Sequence, residues 1–363
     1  MKKLSFIFSI ITVAVFASSC SKDGIDDDVS FINSANSANL SKIFDISNDN
    51  SGKVKITPLG EGFAKFVVNF GESTGEAADT ILNGENTTHA YPEGSYTVSI
   101  TGYDIAGKGT TTDYPLTVTY RAPENLEIEI QSDMKVKAKA LYAQSFLVYY
   151  GDVANETGTP LAVDATLPPH IYPAGGPYDL RVVALSGGAA TTQLTKTLFG
   201  FPLTFETATM DYFFGTFGNV NFSTVANPFP GGINTSTKVG KYEKTNGAET
   251  WSGTYSPLNI PINFAHGNKV KILVYNPLPA NVGKSLNVEL EAAVAGTGAT
   301  PNGVGVLKVP ITTSGAWEEL VFDFSTIPAI PATARFNQLV FRFNDIAQGT
   351  GEVIYVDNIR ITN

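Results

Sequence analysis

The aromatic residues of the C-terminal third are the side chains of this sequence best suited to contact a ligand. Trp251 directly follows the polar, glycine-containing segment 246–250, where a tryptophan of the core is not expected. Aromatic rings stack on flat apolar surfaces such as the C–H faces of sugar rings, and polar side chains then reach the surrounding hydroxyl groups. The predicted platforms are Trp251, Tyr212, Phe214, Tyr255 and Tyr275. Packing in the core is the alternative for each of them.

Two predicted strands carry polar side chains on one alternating face. In segment 285–293, three aliphatic residues point one way, which leaves Asn287, Glu289 and Glu291 on the opposite face. In segment 335–344, an apolar row leaves Arg342 on the opposite face in the same manner. Glu291 and Arg342 are therefore candidates to hydrogen-bond the hydroxyl groups of a ligand. The alternative is a solvated outer face with cross-strand ion pairs.

The paired carboxylates Glu289 and Glu291 also raise the question of catalysis. They lie two residues apart on one strand, about 7 Å by strand rise, a separation that leaves glycoside hydrolysis open on geometry alone. The Glu-x-Asp-x-x-Glu strand of β-glucan hydrolases is missing, and we recognise neither a strand-to-helix nucleophile elbow nor a His-Glu-x-x-His helix. His266 has no evident partner in the sequence. We therefore predict that the protein is not an enzyme.

An internal repeat occupies the first half of the chain. Three pairs of landmarks are separated by 80, 81 and 82 residues: Phe70 and Tyr150, His89 and His170, and Tyr96 and Tyr178. Such steady offsets indicate two related units. Because the repeat places both histidines at the same point of a structural module, we predict that they hydrogen-bond at the edge of a core and take no part in catalysis.

Each repeat resembles the polycystic-kidney-disease (PKD) domain, an immunoglobulin-like β-sandwich. The shared features are an aromatic-Gly-acidic turn, a His-x-Tyr pair and a Gly-x-Tyr strand. The first repeat carries Glu72 where the family has aspartate, and the second inserts a residue before Tyr178 and has Leu180 in place of valine. The resemblance implies two tandem sandwiches, at residues 33–122 and 123–200.

The segment 201–363 has longer alternating strands and more aromatic residues, as an all-β jelly roll requires. It resembles the jelly-roll carbohydrate-binding modules that accompany β-glucan- and xylan-degrading enzymes, through Phe205-Glu206 and segments 235–242, 250–253 and 355–360. The resemblance implies that the tryptophan of the Trp-x-Gly motif, Trp251, contacts sugar. It also implies a structural Ca²⁺ ion held by Glu206 and Asp357 near the first and last strands, since carboxylate oxygens suit this ion. An Asp-Asn turn without metal is the alternative.

The N-terminus has the layout of a lipoprotein signal. Two lysines precede an apolar stretch at 4–17, too short to span a bilayer, and small residues then lead to Cys20. We expect cleavage after residues 1–19, lipidation of Cys20 and an acidic tether at 20–32. This tether resembles the export signal of lipoproteins in starch-utilisation-like glycan uptake systems, which implies an outer-membrane protein that faces the cell exterior. An ordinary cleaved signal and a merely solvated linker are the alternatives.

Composition narrows the choice of partner. The formal net charge of −10 argues against nucleic acid and disfavours polyanionic glycans, so a neutral ligand fits best. Together with the resemblances, this predicts a monomeric surface lipoprotein that binds a neutral polysaccharide, preferably β-1,3-glucan (laminarin), and passes it to an outer-membrane glycan transporter. A protein-binding adhesin or assembly component without a sugar ligand is the alternative.

Overall fold

The computed structural model describes residues 36–173, 176–207, 212, 214–300, 303–327 and 330–363. The predicted signal segment, Cys20 and the acidic tether lie outside the described residues. The chain divides into two compact units, Met1–Tyr120 and Arg121–Asn363. No helix in the described ranges is long and apolar enough to cross a membrane.

Within the described residues, the first unit is a β-sandwich of seven strands. These are β1 (Ala38–Ile46), β2 (Lys53–Glu61), β3 (Phe63–Asn69), β4 (Asp79–Leu82), β5 (Thr87–Ala90), β6 (Gly94–Asp104) and β7 (Gly109–Val118). One sheet has the order β1-β2-β5 and the other the order β4-β3-β6-β7. Alternate side chains point inward, so that Val98 and Ile100 of β6 are fully buried.

The second unit begins with a related sandwich. Its strands are β8 (Glu124–Ile130), β9 (Val136–Leu141), β10 (Ser145–Tyr149), β11 (Thr159–Ala162), β12 (Tyr178–Leu185) and β13 (Thr191–Leu198). The larger sheet has the order β11-β10-β12-β13, which matches the order β4-β3-β6-β7 strand for strand, and β8 pairs with β9 in a separate sheet. The repeat seen in the sequence is therefore a repeat of structure.

The two repeated histidines occupy equivalent places. His89 stacks on Phe70 with ring centroids 4.2 Å apart, and His170 stacks on Tyr150 at 3.7 Å. The Nε2 atom of His170 lies 2.8 Å from the Asp152 carboxylate. In each repeat, the tyrosine two residues after the histidine donates its hydroxyl to the carbonyl oxygen of the stacked aromatic residue, at 3.1 Å. Both histidines thus hydrogen-bond at the edge of a core, as predicted.

The C-terminal part is a jelly roll of two antiparallel five-stranded sheets. Its strands are β14 (Gly215–Phe217), β15 (Val220–Ala226), β16 (Lys238–Lys244), β17 (Gly253–Asn263), β18 (Lys269–Tyr275), β19 (Ser285–Ala293), β20 (Val306–Pro310), β21 (Trp317–Asp323), β22 (Arg335–Phe343) and β23 (Glu352–Thr362). The sheet orders are β14-β17-β22-β19-β20 and β15-β16-β23-β18-β21. The predicted all-β fold, two immunoglobulin-like sandwiches followed by a jelly roll, is confirmed.

A buried polar network fixes the loop between β22 and β23. The Nζ atom of the fully buried Lys244 donates to carbonyl oxygens of this region, among them that of Asn344 at 2.7 Å. Glu352 is 2% exposed, accepts a hydrogen bond from the Thr350 amide at 2.7 Å and pairs with Lys284 at 3.0 Å. Burial opposes ionisation of Glu352, but these two partners outweigh it and lower its pKa to about 2.

Gly71 permits the tight turn that follows β3, and its replacement tests how closely the backbone approaches there. Its φ is +75°, and a Cβ atom at this position would overlap the carbonyl oxygen of Thr97. Gly75 has a φ of +90°, but no described atom lies within 4 Å of such a Cβ. Gly71→Ala should therefore lower the free energy of unfolding by about 1–3 kcal/mol more than Gly75→Ala does, by overpacking. Denaturant titration of both variants measures this, and equal losses would contradict it.

The ionised Glu352 should give the jelly roll a specific pH dependence. Because its pKa is lower in the folded state than in the unfolded chain (about 4.3), its stabilisation is present above that value and is lost as the pH falls towards 2. Glu352→Gln should cost at most about 3 kcal/mol at pH 7 and progressively less between pH 4 and 2.

Thermal melts of the wild type and Glu352→Gln across this pH range measure the effect. Glu243→Gln is the matched control, since Glu243 forms a half-exposed ion pair with Lys241 and its loss should change stability by less than about 1 kcal/mol. A difference in melting temperature between wild type and Glu352→Gln that does not change with pH would contradict the lowered pKa of Glu352.

Candidate functional site

The outward face of the sheet β14-β17-β22-β19-β20 gathers the candidate binding groups. Inward rows such as Leu286, Val288 and Leu290 lie in the core, so the residues between them face away from it. We call this outward surface the polar sheet face; it consists of Phe217, Tyr255, Gln338, Val340, Arg342, Asn287, Glu289, Glu291 and Lys308. Asn287 and Glu289 are only 0% and 7% exposed although they point away from the core. The middle of the face is therefore recessed.

Two nearly parallel aromatic rings lie at one end of the polar sheet face. Trp251, in the loop before β17, is 54% exposed. Its ring is nearly parallel to that of Phe217, with centroids 6.2 Å apart and an interplanar angle of 3°. The guanidinium carbon of Arg342 lies 5.8 Å from the centroid of the Phe217 ring. Two parallel aromatic rings thus adjoin a cationic hydrogen-bond donor.

Glycines create the room that these rings occupy. A Cβ atom at Gly253 would lie 2.8 Å from the Phe217 ring and 2.9 Å from the Arg342 side chain. A Cβ atom at Gly215 would overlap the ring of Tyr255, which lies across from it in the register. Because the two glycines have no side chains, the aromatic rings lie close against the sheet.

The polar groups of this face are held by cross-strand pairs. The Nη2 atom of Arg342 donates to Glu289 at 3.1 Å, and the amide of Gln338 donates to Glu291 at 2.7 Å. Burial raises the pKa of Glu289, Arg342 lowers it, and the charge of Glu291 raises it further. The Oδ1 atom of the buried Asn287 has no hydrogen-bond partner among the described residues. The face therefore offers both donors and acceptors, and Arg342 is the one beside the aromatic rings.

Tyr212 and Phe214 do not form part of this face, which corrects the expectation that they are platforms. Phe214 stacks on Phe222 with centroids 4.1 Å apart and an angle of 25°. Tyr212 lies 5.2 Å from the buried Phe205. Both rings are partly buried and pack against the apolar core of the jelly roll. These neighbours are only seven or eight residues away in the sequence, but they belong to other segments, and strand alternation does not predict contacts between segments.

Tyr275 lies on the other sheet, so its predicted role as a platform is wrong as well. It is 9% exposed, because Phe229 stacks on it at 4.1 Å with an angle of 10°. Trp317 secures this cover by donating its Nε1 proton to the carbonyl oxygen of Phe229 at 2.8 Å. The ring of Tyr275 is thus a packing element, as is that of Trp317.

The predicted metal ligands Glu206 and Asp357 lie near each other, since the charge of Glu206 raises the pKa of Asp357. Burial is the larger cause of that rise, because Asp357 is 0% exposed. Its Oδ2 atom makes no well-formed hydrogen bond to a described residue, although Ser236 and Asn234 lie close to the carboxylate. Glu206 accepts hydrogen bonds from the hydroxyl group of Thr237 at 2.6 Å and from the backbone amide of Lys238 at 2.7 Å. A buried, unneutralised carboxylate with polar neighbours fits a hard cation.

Sequence reasoning placed Trp251, Tyr255, Glu291 and Arg342 on this part of the molecule, and the structure brings all four to the same sheet or its edge. It missed Phe217 and Gln338 as members of this surface. The spacing Gly215-x-Phe217-Gly218 carried a signal, because glycines beside an aromatic residue indicate a close approach of the backbone. The pairing of β14 with β17, which aligns Phe217 with Gly253, could not be read from that spacing.

No protein-family model matches the sequence, and a search of curated proteins finds no match. Among solved structures, the chain is similar to SGBP-B from a complex xyloglucan utilization locus in Bacteroides uniformis, at 10% identity, covering 90% of this chain and 98% of that one, with a TM-score of 0.31. It is also similar to a family 11 carbohydrate-binding module from Clostridium thermocellum in complex with a β-1,3-1,4-mixed-linked tetrasaccharide (15% identity, 42% and 96% coverage, TM-score 0.27). A third similar structure is the K1 cleaved adhesin domain of Lys-gingipain from Porphyromonas gingivalis W83. It shares 16% identity, with coverage of 44% of this chain and 96% of that one, and has a TM-score of 0.31. Because these identities and scores are low, no inference about ligand or role is drawn from them.

Proposed function

We propose that the polar sheet face, together with Trp251, binds a neutral polysaccharide. The observation that carries this proposal is the adjacency of the parallel Trp251 and Phe217 rings to the side chain of Arg342. Sugar rings stack their C–H faces on such a platform and direct hydroxyl groups to its rim. The hydrogen-bonding capacity left over at Asn287 would be met by a hydroxyl group or by water.

The charges of the face favour a neutral ligand. Arg342 is paired with Glu289, and Lys308 with Asp345 at 2.5 Å, so neither cation is free for a polyanion. We take β-1,3-glucan (laminarin) as the preferred ligand from the resemblance of the sequence to modules of laminarin-degrading enzymes. In this proposal the protein is a monomeric lipoprotein, anchored at Cys20 in the outer membrane and facing outward, and it presents glycan to a transporter complex.

We propose binding without catalysis. Glu289 and Glu291 are successive outward residues of one strand, and each is held by a side chain of β22. Hydrolysis needs an acid and a second carboxylate placed on either side of the scissile bond. Laminarin incubated with the protein should accordingly yield no new reducing ends.

The alternative is a protein-binding adhesin or assembly component. Trp251 distinguishes the sugar-binding function from the protein-binding one, because its ring is exposed and its removal disturbs no core packing. A protein partner that binds elsewhere would be held equally well by Trp251→Ala, whereas a sugar ligand would be bound more weakly.

Trp251→Ala should weaken laminarin binding by about 1–3 kcal/mol, by analogy with the loss of a planar ring stacked on an aromatic platform. Isothermal titration of the full chain with laminarin, xylan and mannan measures this. Trp317→Phe is the matched control, since it alters the other tryptophan, on the opposite sheet, keeps an aromatic ring there and removes the hydrogen bond to Phe229. The control should bind as the wild type does.

Two outcomes of this titration would count against the proposal. Absence of heat with every neutral glycan would end the sugar interpretation and favour the protein-binding alternative. Equal weakening by Trp251→Ala and Trp317→Phe would show that stability, not stacking, decides binding. Binding of xylan or mannan without laminarin would overturn only the preference for β-1,3-glucan.

We also propose that Glu206 and Asp357, with neighbouring oxygen atoms, hold a structural Ca²⁺ ion. Ca²⁺ should raise the melting temperature of the wild type, a chelator should reverse the rise, and Asp357→Asn should remove it. Because burial raises the pKa of Asp357, its charge opposes folding of the metal-free protein at neutral pH. Metal-free Asp357→Asn should therefore melt no lower than the metal-free wild type. A full calcium response in Asp357→Asn would disprove the site, and Glu243→Gln serves as the control that keeps the response.

A further inference from the structure

The first sandwich contains a cluster of one histidine and two carboxylates that the glycan proposal does not use. One ligand atom each of Glu72, Glu76 and His89 lies within 4.8 Å of the other two. The Nε2 atom of His89 is 2.7 Å from Glu72 Oε2 and 3.3 Å from Glu76 Oε1. The three side chains are 33%, 18% and 20% exposed in that order, so the cluster lies at the surface but is partly shielded.

Hydrogen bonds among the described residues leave part of the acceptor capacity of these two carboxylates unused. A single N–H at Nε2 serves one carboxylate well, and Glu72 is the closer one. The Oε2 atom of Glu76 is buried and has no hydrogen-bond partner among the described residues. The cluster thus keeps a buried carboxylate oxygen without a hydrogen bond beside the histidine.

In the second sandwich, the equivalent carboxylates have hydrogen-bond partners within the sandwich itself. Its equivalent histidine, His170, faces the single carboxylate of Asp152. Glu156, which matches Glu76 in the repeat, instead accepts the backbone amides of Tyr150 at 2.6 Å and Gly151 at 2.8 Å. Glu156 is therefore satisfied by the backbone, whereas Glu76 is directed at the histidine. This difference between two otherwise equivalent turns requires a cause.

We propose that Glu72, Glu76 and His89 bind a divalent transition-metal ion of the zinc type. Zinc accepts histidine nitrogen at about 2.0–2.1 Å and carboxylate oxygen at about 2.0–2.2 Å, which places two tetrahedral ligands about 3.3 Å apart. The distance of 3.3 Å from Nε2 to Glu76 Oε1 matches this value, whereas the 2.7 Å to Glu72 Oε2 is a hydrogen-bond distance that would lengthen when the metal binds. The mixed nitrogen and oxygen donors favour zinc over calcium, which takes oxygen ligands. Stacking of His89 on Phe70 fixes the direction of Nε2 before the metal arrives.

Zinc titration of the full chain by calorimetry tests this site. All proteins carry Cys20→Ser, because a thiolate also binds zinc, and excess Ca²⁺ occupies the site proposed at Asp357. The wild type and the matched control Glu156→Gln should bind one equivalent of zinc with the same affinity. Glu76→Gln and His89→Gln should each lose at least tenfold in affinity, and excess Ca²⁺ should not compete with zinc.

Three results would overturn the proposal. These are the absence of saturable zinc binding by the wild type, unchanged affinity in both Glu76→Gln and His89→Gln, and an equal loss in Glu156→Gln. Thermal melts of the variants identify any that are unfolded, and Glu72→Gln then replaces Glu76→Gln. Competition by Ca²⁺ would refute the assignment to the zinc type. The site is independent of glycan binding, so Trp251→Ala should leave zinc affinity unchanged.

Discussion

The apolar layer between the two five-stranded sheets determines what the jelly roll can offer to a ligand. Leu286, Val288 and Leu290 fill this layer from β19, and Phe341 and Phe343 fill it from β22. With these rows inward, the residues between them must face outward, because side chains alternate along a strand. A slip of β19 by one residue would move two glutamates into the layer, and buried charges without partners are strongly unfavourable. The position of the polar sheet face is thus a consequence of core packing.

Packing of the apolar layer does not by itself produce the exposed aromatic surface. Phe217 and Tyr255 lie against their sheet because Gly253 and Gly215 leave space beneath them, and Trp251 extends the surface from a loop. On the opposite sheet, Phe229 covers Tyr275, and a hydrogen bond from Trp317 holds the cover in place. Similar aromatic residues therefore have opposite roles on the two sheets, depending on whether a loop covers them.

Much of the fold and part of the candidate site could be predicted from the sequence. Alternation in 285–293 and 335–343 placed Glu291 and Arg342 on the outward face, and the polar loop before Trp251 indicated its exposure. The burial of Tyr275 could not be predicted, because its cover comes from a loop 46 residues earlier in the chain. The repeat likewise revealed two equivalent histidines, but the different partners of Glu76 and Glu156 depend on side-chain packing that a shared motif does not encode.

The two tryptophans of the chain offer a direct test, because Trp251 borders one sheet, Trp317 lies on the other, and each has an indole N–H that NMR resolves. A protein labelled with ¹⁵N-tryptophan should be titrated with a laminarin oligosaccharide. If the polar sheet face binds sugar, the signal of Trp251 will shift in a saturable manner while that of Trp317 stays in place. A shift of Trp317 alone, or no shift of either signal at saturating sugar, would contradict the proposed binding face.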